Sequence, residues 1–339
     1  MIRYFTRLSC VVIVAAASCL ASIATAQLPS DLRGTLVVLN KSGHDASFID
    51  LASGEILATL PTGRGPHELV VTDDGRWAIG TDYAGGNSLT VFDVEDLSVA
   101  RRISLRDYPR PHGILFLPGQ RQVIVTSEAS NRLVVVDFHS GEIVRDIDTG
   151  QNGSHMVALS EDGRLAFTSN GASNSVSVID VESSELLKTL DVPDRPEAIT
   201  TNRRGDEVWV GSNDEEVVSV VSVASGEISR QWSGFSWPYR ILLSEDERTA
   251  VMPDLGNEQL RFFDVASGEE IGKIDLTGAR PQGVALYPDD RTLFVSLSGQ
   301  NKVLVVDIQT REILGEYEAG QSPDGIGYSP LVLRKAISY

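Results

Sequence analysis

One short pattern recurs seven times along this chain, and nothing else in the sequence constrains the fold as tightly. It ends a strand at Phe48-Ile49-Asp50, Val91-Phe92-Asp93, Val135-Val136-Asp137, Val178-Ile179-Asp180, Val220-Val221-Ser222, Phe262-Phe263-Asp264 and Val305-Val306-Asp307, at intervals of 43, 44, 43, 42, 42 and 43 residues. A repeat of this length marks stacked supersecondary units, none of which can bury its apolar faces alone. Each copy runs on into a turn such as Ser140-Gly141-Glu142 or Ser267-Gly268-Glu269, where serine and glycine supply the backbone freedom of a tight hairpin. A second hairpin turn within the unit is marked by Asp73-Asp74-Gly75-Arg76, Glu161-Asp162-Gly163-Arg164 and Pro288-Asp289-Asp290-Arg291. No segment carries a convincing apolar stripe of helical period.

Four short strands per unit predict an all-β chain, a seven-bladed β-propeller of four-stranded antiparallel blades forming one domain over residues 35–330. Counted from the channel outward, strands A to D of the second unit fall at about 67–72, 77–82, 88–93 and 99–105. The pattern opens at Thr35 with a B strand and closes near Ser329 with an A strand. The ring is therefore expected to close by N-terminal strands B–D pairing with a C-terminal strand A, which removes a free sheet edge. Residues 27–34 lead in, and residues 331–339 form a C-terminal tail.

Residues 1–26 read as a secretory signal peptide: Arg3 and Arg7, then the apolar run from Val11 to Ala17, then Ala24-Thr25-Ala26 as a small-residue cleavage site. The apolar run is too short to span a membrane, so no membrane span is expected and the mature chain belongs in the periplasm or beyond. Acylation at Cys19 is a lesser alternative, since Ala16-Ala17-Ser18-Cys19 lacks the usual leucine. Cys10 and Cys19 both lie in this segment, which leaves the mature chain without a disulfide or a cysteine-ligated metal. The chain has 29 basic and 47 acidic residues, and loss of the two arginines leaves 27 against 47, or −20. A field of that sign repels nucleic acid and anionic lipid. The expected partner is a small molecule or a periplasmic protein, and the expected state is a monomer.

Phe167-Thr168-Ser169-Asn170, followed by Asn174-Ser175-Val176-Ser177-Val178-Ile179-Asp180, resembles the YVTN repeat, and the other six copies are similar, so the resemblance covers about residues 35–330. It implies the scaffold and not an activity, because the family includes binding proteins, surface-layer proteins and accessory proteins.

The loop from strand D to the next strand A ends at a fixed place in every unit, usually after proline. The next residue, read around the ring, is His67, His112, His155, Glu197, Tyr239, Gln282 and Asp324, spaced by 45, 43, 42, 42, 43 and 42. These seven side chains start the innermost strands and can point at one axis, and they take three of the five histidines in the chain. Three neutral imidazoles from adjacent blades, with Glu197 next in line, suit one divalent transition metal such as copper, zinc or iron. Two alternatives stand beside this: contact with a ligand without metal, and a polar channel lining.

The loops from B to C open on the same face. There Asp82 and Glu128 can orient an imidazole or simply cap backbone groups. Trp232, Phe235, Trp237 and Tyr239 crowd one loop, either as a wall for an organic ligand or as packing between blades. Arg240, which follows, can meet an anionic group, so Tyr239, Arg240, Gln282 and Asp324 are the candidate ligand-binding residues. Arg110, Arg195 and Arg280, each preceding a proline, recur with the repeat and read as structural. No phosphate loop, nucleophile elbow or EF-hand loop is present, and no general acid and base can be assigned. The two functions left are a metal-dependent enzyme or metal carrier, and a non-catalytic binding protein or scaffold.

Overall fold

The computed structural model describes residues 28–333, so the expected signal peptide over residues 1–26 and most of the tail lie outside the described residues. Seven four-stranded antiparallel sheets form a ring, and the described residues contain no α-helix. In the second blade the strands are Pro66–Val71, Trp77–Asp82, Ser88–Asp93 and Ser98–Ser104, one residue or less from the expected positions. The first blade is composite, as expected: strands Thr35–Asn40, Asp45–Asp50 and Ile56–Pro61 are completed on the inner edge by Pro323–Ser329. Thr35 pairs with Ser329 and Val38 with Ile326 across this junction.

The apolar residues sort into seven clusters, one for each interface between neighbouring blades. Leu36 and Val38 face the seventh blade, where they meet Phe294, Val303 and Val305. Val37 and Leu39, on the opposite face of the same strand, meet Ala78 and Phe92 of the second blade. Successive side chains of a strand point to opposite faces, and here both faces are covered. For this reason the middle strands of a blade, such as Leu36 to Leu39 or Leu133 to Val136, read as unbroken apolar runs rather than alternating ones.

The aspartate that closes the recurring motif has two tasks. Its carboxylate accepts from the backbone N–H three residues on, as Asp137 does from Ser140 (2.9 Å) and Asp307 from Thr310 (3.0 Å), which caps the outer hairpin. It also holds the arginine of the inner hairpin: Arg121 to Asp137 at 2.8 Å, Arg164 to Asp180 at 3.2 Å and Arg291 to Asp307 at 2.6 Å. One carboxylate thus ties both turns on the lower face of its blade.

Strand A carries a bulge at its start. Pro66 pairs with Asp82 but Leu69 with Gly80, so one extra residue is taken up between them. The same shift occurs at Pro111/Ile114, Ser154/Val157, Pro196/Ile199 and Pro281/Val284. A hydroxyl on strand B satisfies the freed backbone N–H: Thr81 for Glu68 (3.0 Å), Thr126 for Gly113 (2.8 Å) and Ser169 for Met156 (3.2 Å). Thr126 and Ser169 donate onward to the carbonyls of His155 (2.6 Å) and Glu197 (2.7 Å), each in the next blade. Bulges re-aim side chains, and this one turns two consecutive residues toward the channel.

Two outcomes are expected from this architecture. A Cβ on Gly283 would lie 2.1 Å from the Asp324 carbonyl oxygen, so Gly283→Ala should destabilise the ring by about 1–3 kcal/mol in chemical denaturation. The turn aspartates Asp137, Asp180, Asp264 and Asp307 sit below the usual carboxylate range; the backbone N–H bonds are the leading cause for the first three, while burial opposes the shift at Asp307 and Arg291 overcomes it. A depressed native pKa stabilises above the unfolded value of about 4 and is lost below it. Their contribution to the denaturation midpoint should hold from about pH 7 to 5 and fall as pH drops below about 4.

Candidate functional site

The ring positions converge as the spacing requires. His67, His112 and His155 start the strands Pro66–Val71, Pro111–Phe116 and Ser154–Leu159 of three adjacent blades. Their rings touch in series, with centroids 4.4 Å apart for His67 and His112 and 3.7 Å for His112 and His155. Glu197 follows, its Oε1 3.6 Å from His155 Nε2. On the other side Tyr239 reaches over to donate to Asp324 at 3.0 Å and lies 3.4 Å from His67 Nε2. These residues close the channel with a polar plug.

The three histidines differ in state because their neighbours differ. Burial pushes His67 down to about 4, even though Asp324, 3.0 Å from Nδ1, favours its charge. Burial also holds His112 well below the ordinary value, reinforced by His155 and His67. Its Nδ1 lies 3.1 Å from the Met156 sulfur, and its Nε2 is buried with no partner. His155 is buried too, but Glu128, 3.2 Å from Nδ1, and Glu197 overcome the desolvation and raise it to about 9. At neutral pH two imidazoles are therefore free bases and the third is a cation between two carboxylates. Glu128, despite burial, is held down to about 2 by His155, Tyr83 and Arg110.

Asp324 is fully buried and balanced by Lys41 at 2.7 Å, His67, Tyr239 and the field of Arg240, which keep it ionised. Below the ring, Glu68 of the second blade pairs with Arg240 of the sixth across the channel. Arg240 also donates to the Tyr239 carbonyl at 2.6 Å, so its guanidinium is engaged inside the protein. Glu68 joins the two neutral histidines: His67, Glu68 and His112 each place a ligand-capable atom within 4.8 Å of the other two.

Glu68 was missed by reading only the ring position. The bulge brings the following residue to the axis as well, a displacement that strict alternation does not signal. Lys41, at the end of Thr35–Asn40, was also missed. Of the two loop carboxylates, Glu128 orients His155, while Asp82 accepts from Ser88 and Thr90 at 2.5 and 3.0 Å and serves the loop. The aromatic loop divides. Trp232 stacks on Trp209 at 5.3 Å and Phe235 is buried between blades, whereas Trp237 and Tyr239 line the mouth.

Above the plug the mouth forms a cavity of about 540 Å³. Gln282 lines it, and so do Arg110, Arg195 and Arg280, which the sequence placed in the scaffold alone. Below the plug lies a second cavity of about 520 Å³ whose wall mixes apolar side chains such as Leu69, Ile114 and Leu242 with charged ones such as Glu68 and Arg240.

No protein-family model matches the chain. Among curated proteins, Antigen Lp49 of Leptospira interrogans is 22% identical over 326 residues, covering 89% of this chain and 69% of that protein. Among solved structures, Kuenenia stuttgartiensis hydrazine synthase has a TM-score of 0.69 at 17% identity, covering 78% of this chain and 90% of that one. A functionally unknown protein from Desulfotomaculum acetoxidans has a TM-score of 0.73 at 15% identity, covering 87% and 99%. Dihydro-heme d1 dehydrogenase NirN, in complex with DHE, has a TM-score of 0.66 at 15% identity, covering 89% and 76%. These likenesses show a shared propeller fold.

Asp324 is the group whose loss should be felt most. Asp324→Ala leaves Lys41, His67 and Tyr239 without their common partner in a buried setting, and should cost about 3–5 kcal/mol in equilibrium unfolding.

Proposed function

We propose that this chain is an exported propeller of the YVTN type whose channel mouth holds one divalent transition metal, copper, zinc or iron, on His67, His112 and Glu68, with His155 and Glu197 flanking the site. The carrying observation is the pair of buried free-base imidazoles, one with Nδ1 3.0 Å from the Asp324 carboxylate and Nε2 3.4 Å from the Tyr239 hydroxyl, the other with Nε2 unpartnered. Nε2 of His112 is thereby open to a metal, and His67 would offer a nitrogen by giving up its contact with Tyr239 or Asp324. Glu68 would exchange its contact with Arg240 for the ion. Glu128 holds His155 in place beside the site.

Support for the YVTN type is the repeat centred on Phe167-Thr168-Ser169-Asn170, and support for export is the segment 1–26. Two of the structural neighbours are named as enzymes, a synthase and a dehydrogenase, so a propeller of this shape is compatible with catalysis. The bound ion would supply Lewis acidity at the floor of the mouth.

Elemental analysis of protein purified without chelators or a histidine tag tests the reading. One equivalent of metal is expected, absent in His67→Ala and His112→Ala, whereas His155→Ala, which removes a cation beside the site, should leave affinity unchanged or raised. Metal retained in full by His112→Ala, or no metal even after reconstitution, would instead favour a non-catalytic binding protein or scaffold.

A further inference from the structure

We infer that the mouth above the histidines is a receptor for a small organic acid bearing at least two carboxylates and a hydroxyl, with Arg110, Arg195 and Arg280 as the carboxylate-binding groups. This goes beyond the metal reading and does not depend on it.

The loop entering each inner strand ends in a residue whose backbone is left-handed in six of the seven blades: Gly65 (φ 60°), Arg110 (58°), Gly153 (71°), Arg195 (58°), Arg280 (54°) and Ser322 (56°). Glycine adopts this conformation freely, whereas a side chain with a Cβ is strained there. Gly65 and Gly153 show that the loop is built without arginine. Yet arginine occupies it in the third, fifth and seventh blades, so three guanidinium groups approach the mouth from alternate blades and line one cavity.

Their pairing leaves capacity for a ligand. Arg110 is held by Glu128 and lies over the Tyr83 ring at 4.8 Å. Arg195 meets Asp214 at 3.3 Å with both side chains more than half exposed, a contact that solvent screens. Arg280 pairs with no carboxylate among the described residues. Among the charged groups lining the mouth, Lys41 and the three arginines outnumber Glu128 and Glu197, in a chain whose net charge is −18. Guanidinium forks match carboxylates in two-pronged fashion, and a focused field of opposite sign draws anions in.

A second, independent feature is Gln282. It is 5% exposed, lines the same cavity, and its Oε1 is buried without a hydrogen-bond partner. A buried acceptor left open asks for a donor, which a ligand hydroxyl supplies. The cavity, about 540 Å³, is of metabolite size.

The test uses the full mature chain after chelator treatment, titrated calorimetrically with citrate, malate and succinate, and with inorganic phosphate and sodium chloride as comparison anions. One hydroxy acid should bind per chain, with malate about tenfold tighter than succinate. Arg195→Gly and Arg280→Gly should each weaken binding about tenfold, and the double variant about a hundredfold. The melting temperature of the unliganded variants should stay or rise, because glycine relieves the left-handed backbone; a structural role for these arginines would lower it. No binding of any of the three acids, or binding unchanged in the double variant, would overturn the proposal. Phosphate bound as tightly as citrate would overturn the carboxylate class. Repeating the titration on His112→Ala separates the readings, since failure of the metal site there leaves the arginine-dependent binding of acid intact.

Discussion

Everything in this structure depends on the burial of both faces of every blade between its two neighbours. A four-stranded sheet with apolar residues on both sides has no stable isolated state, and a row of such sheets always leaves two faces open at its ends. Only a closed ring removes them. The seven apolar clusters, one at each interface, show the result: Leu36 and Leu39 lie on the same strand yet belong to different interfaces. In a described chain with no cysteine, this burial and the strand pairing carry the stability.

The same closure makes the channel a rigid frame for chemistry. Six of the seven inner strands carry a bulge near their start, braced by a hydroxyl in the second, third and fourth blades, and side chains at equivalent positions meet near the axis. What they become there is decided by electrostatics. His67, His112 and His155 are equivalent by position, but burial keeps the first two neutral while Glu128 and Glu197 keep the third charged. The sixth blade breaks the repeat: its inner strand shrinks to Leu242–Leu243, with an isolated bridge from Pro238 to Asp254 ahead of it. That departure lets Tyr239 reach across to Asp324 and Arg240 to Glu68, and so seals the channel.

The fold was legible because it is written seven times. The aspartate of the motif marks a position where one carboxylate caps one turn and holds the arginine of another, so a constraint on the backbone surfaces as a recurring letter. The ring of channel-facing residues was legible for the same reason. Glu68 was not, since an extra residue in strand A displaces the alternation that a reader of period two relies on. Lys41 was not, because its role exists only through Asp324, which is distant in sequence and adjacent only once the ring has closed. The pre-proline arginines were placed in the scaffold because they recur with it. Position in a repeat tells where a residue sits, and only its surroundings tell what the side chain does.

The composite first blade has a consequence for how the molecule comes into being. Its inner strand, Pro323–Ser329, pairs with Thr35–Asn40, so the two ends of the described chain must find each other before the last interface exists. Contacts of such long range are slow to form. Lys41 and Asp324, 2.7 Å apart in the closed ring, come together only through this pairing. The channel chemistry therefore hangs on ring closure: the strand that brings Asp324 to Lys41 and His67 is the one that completes the first blade, and a chain lacking it would lose the pocket along with the ring.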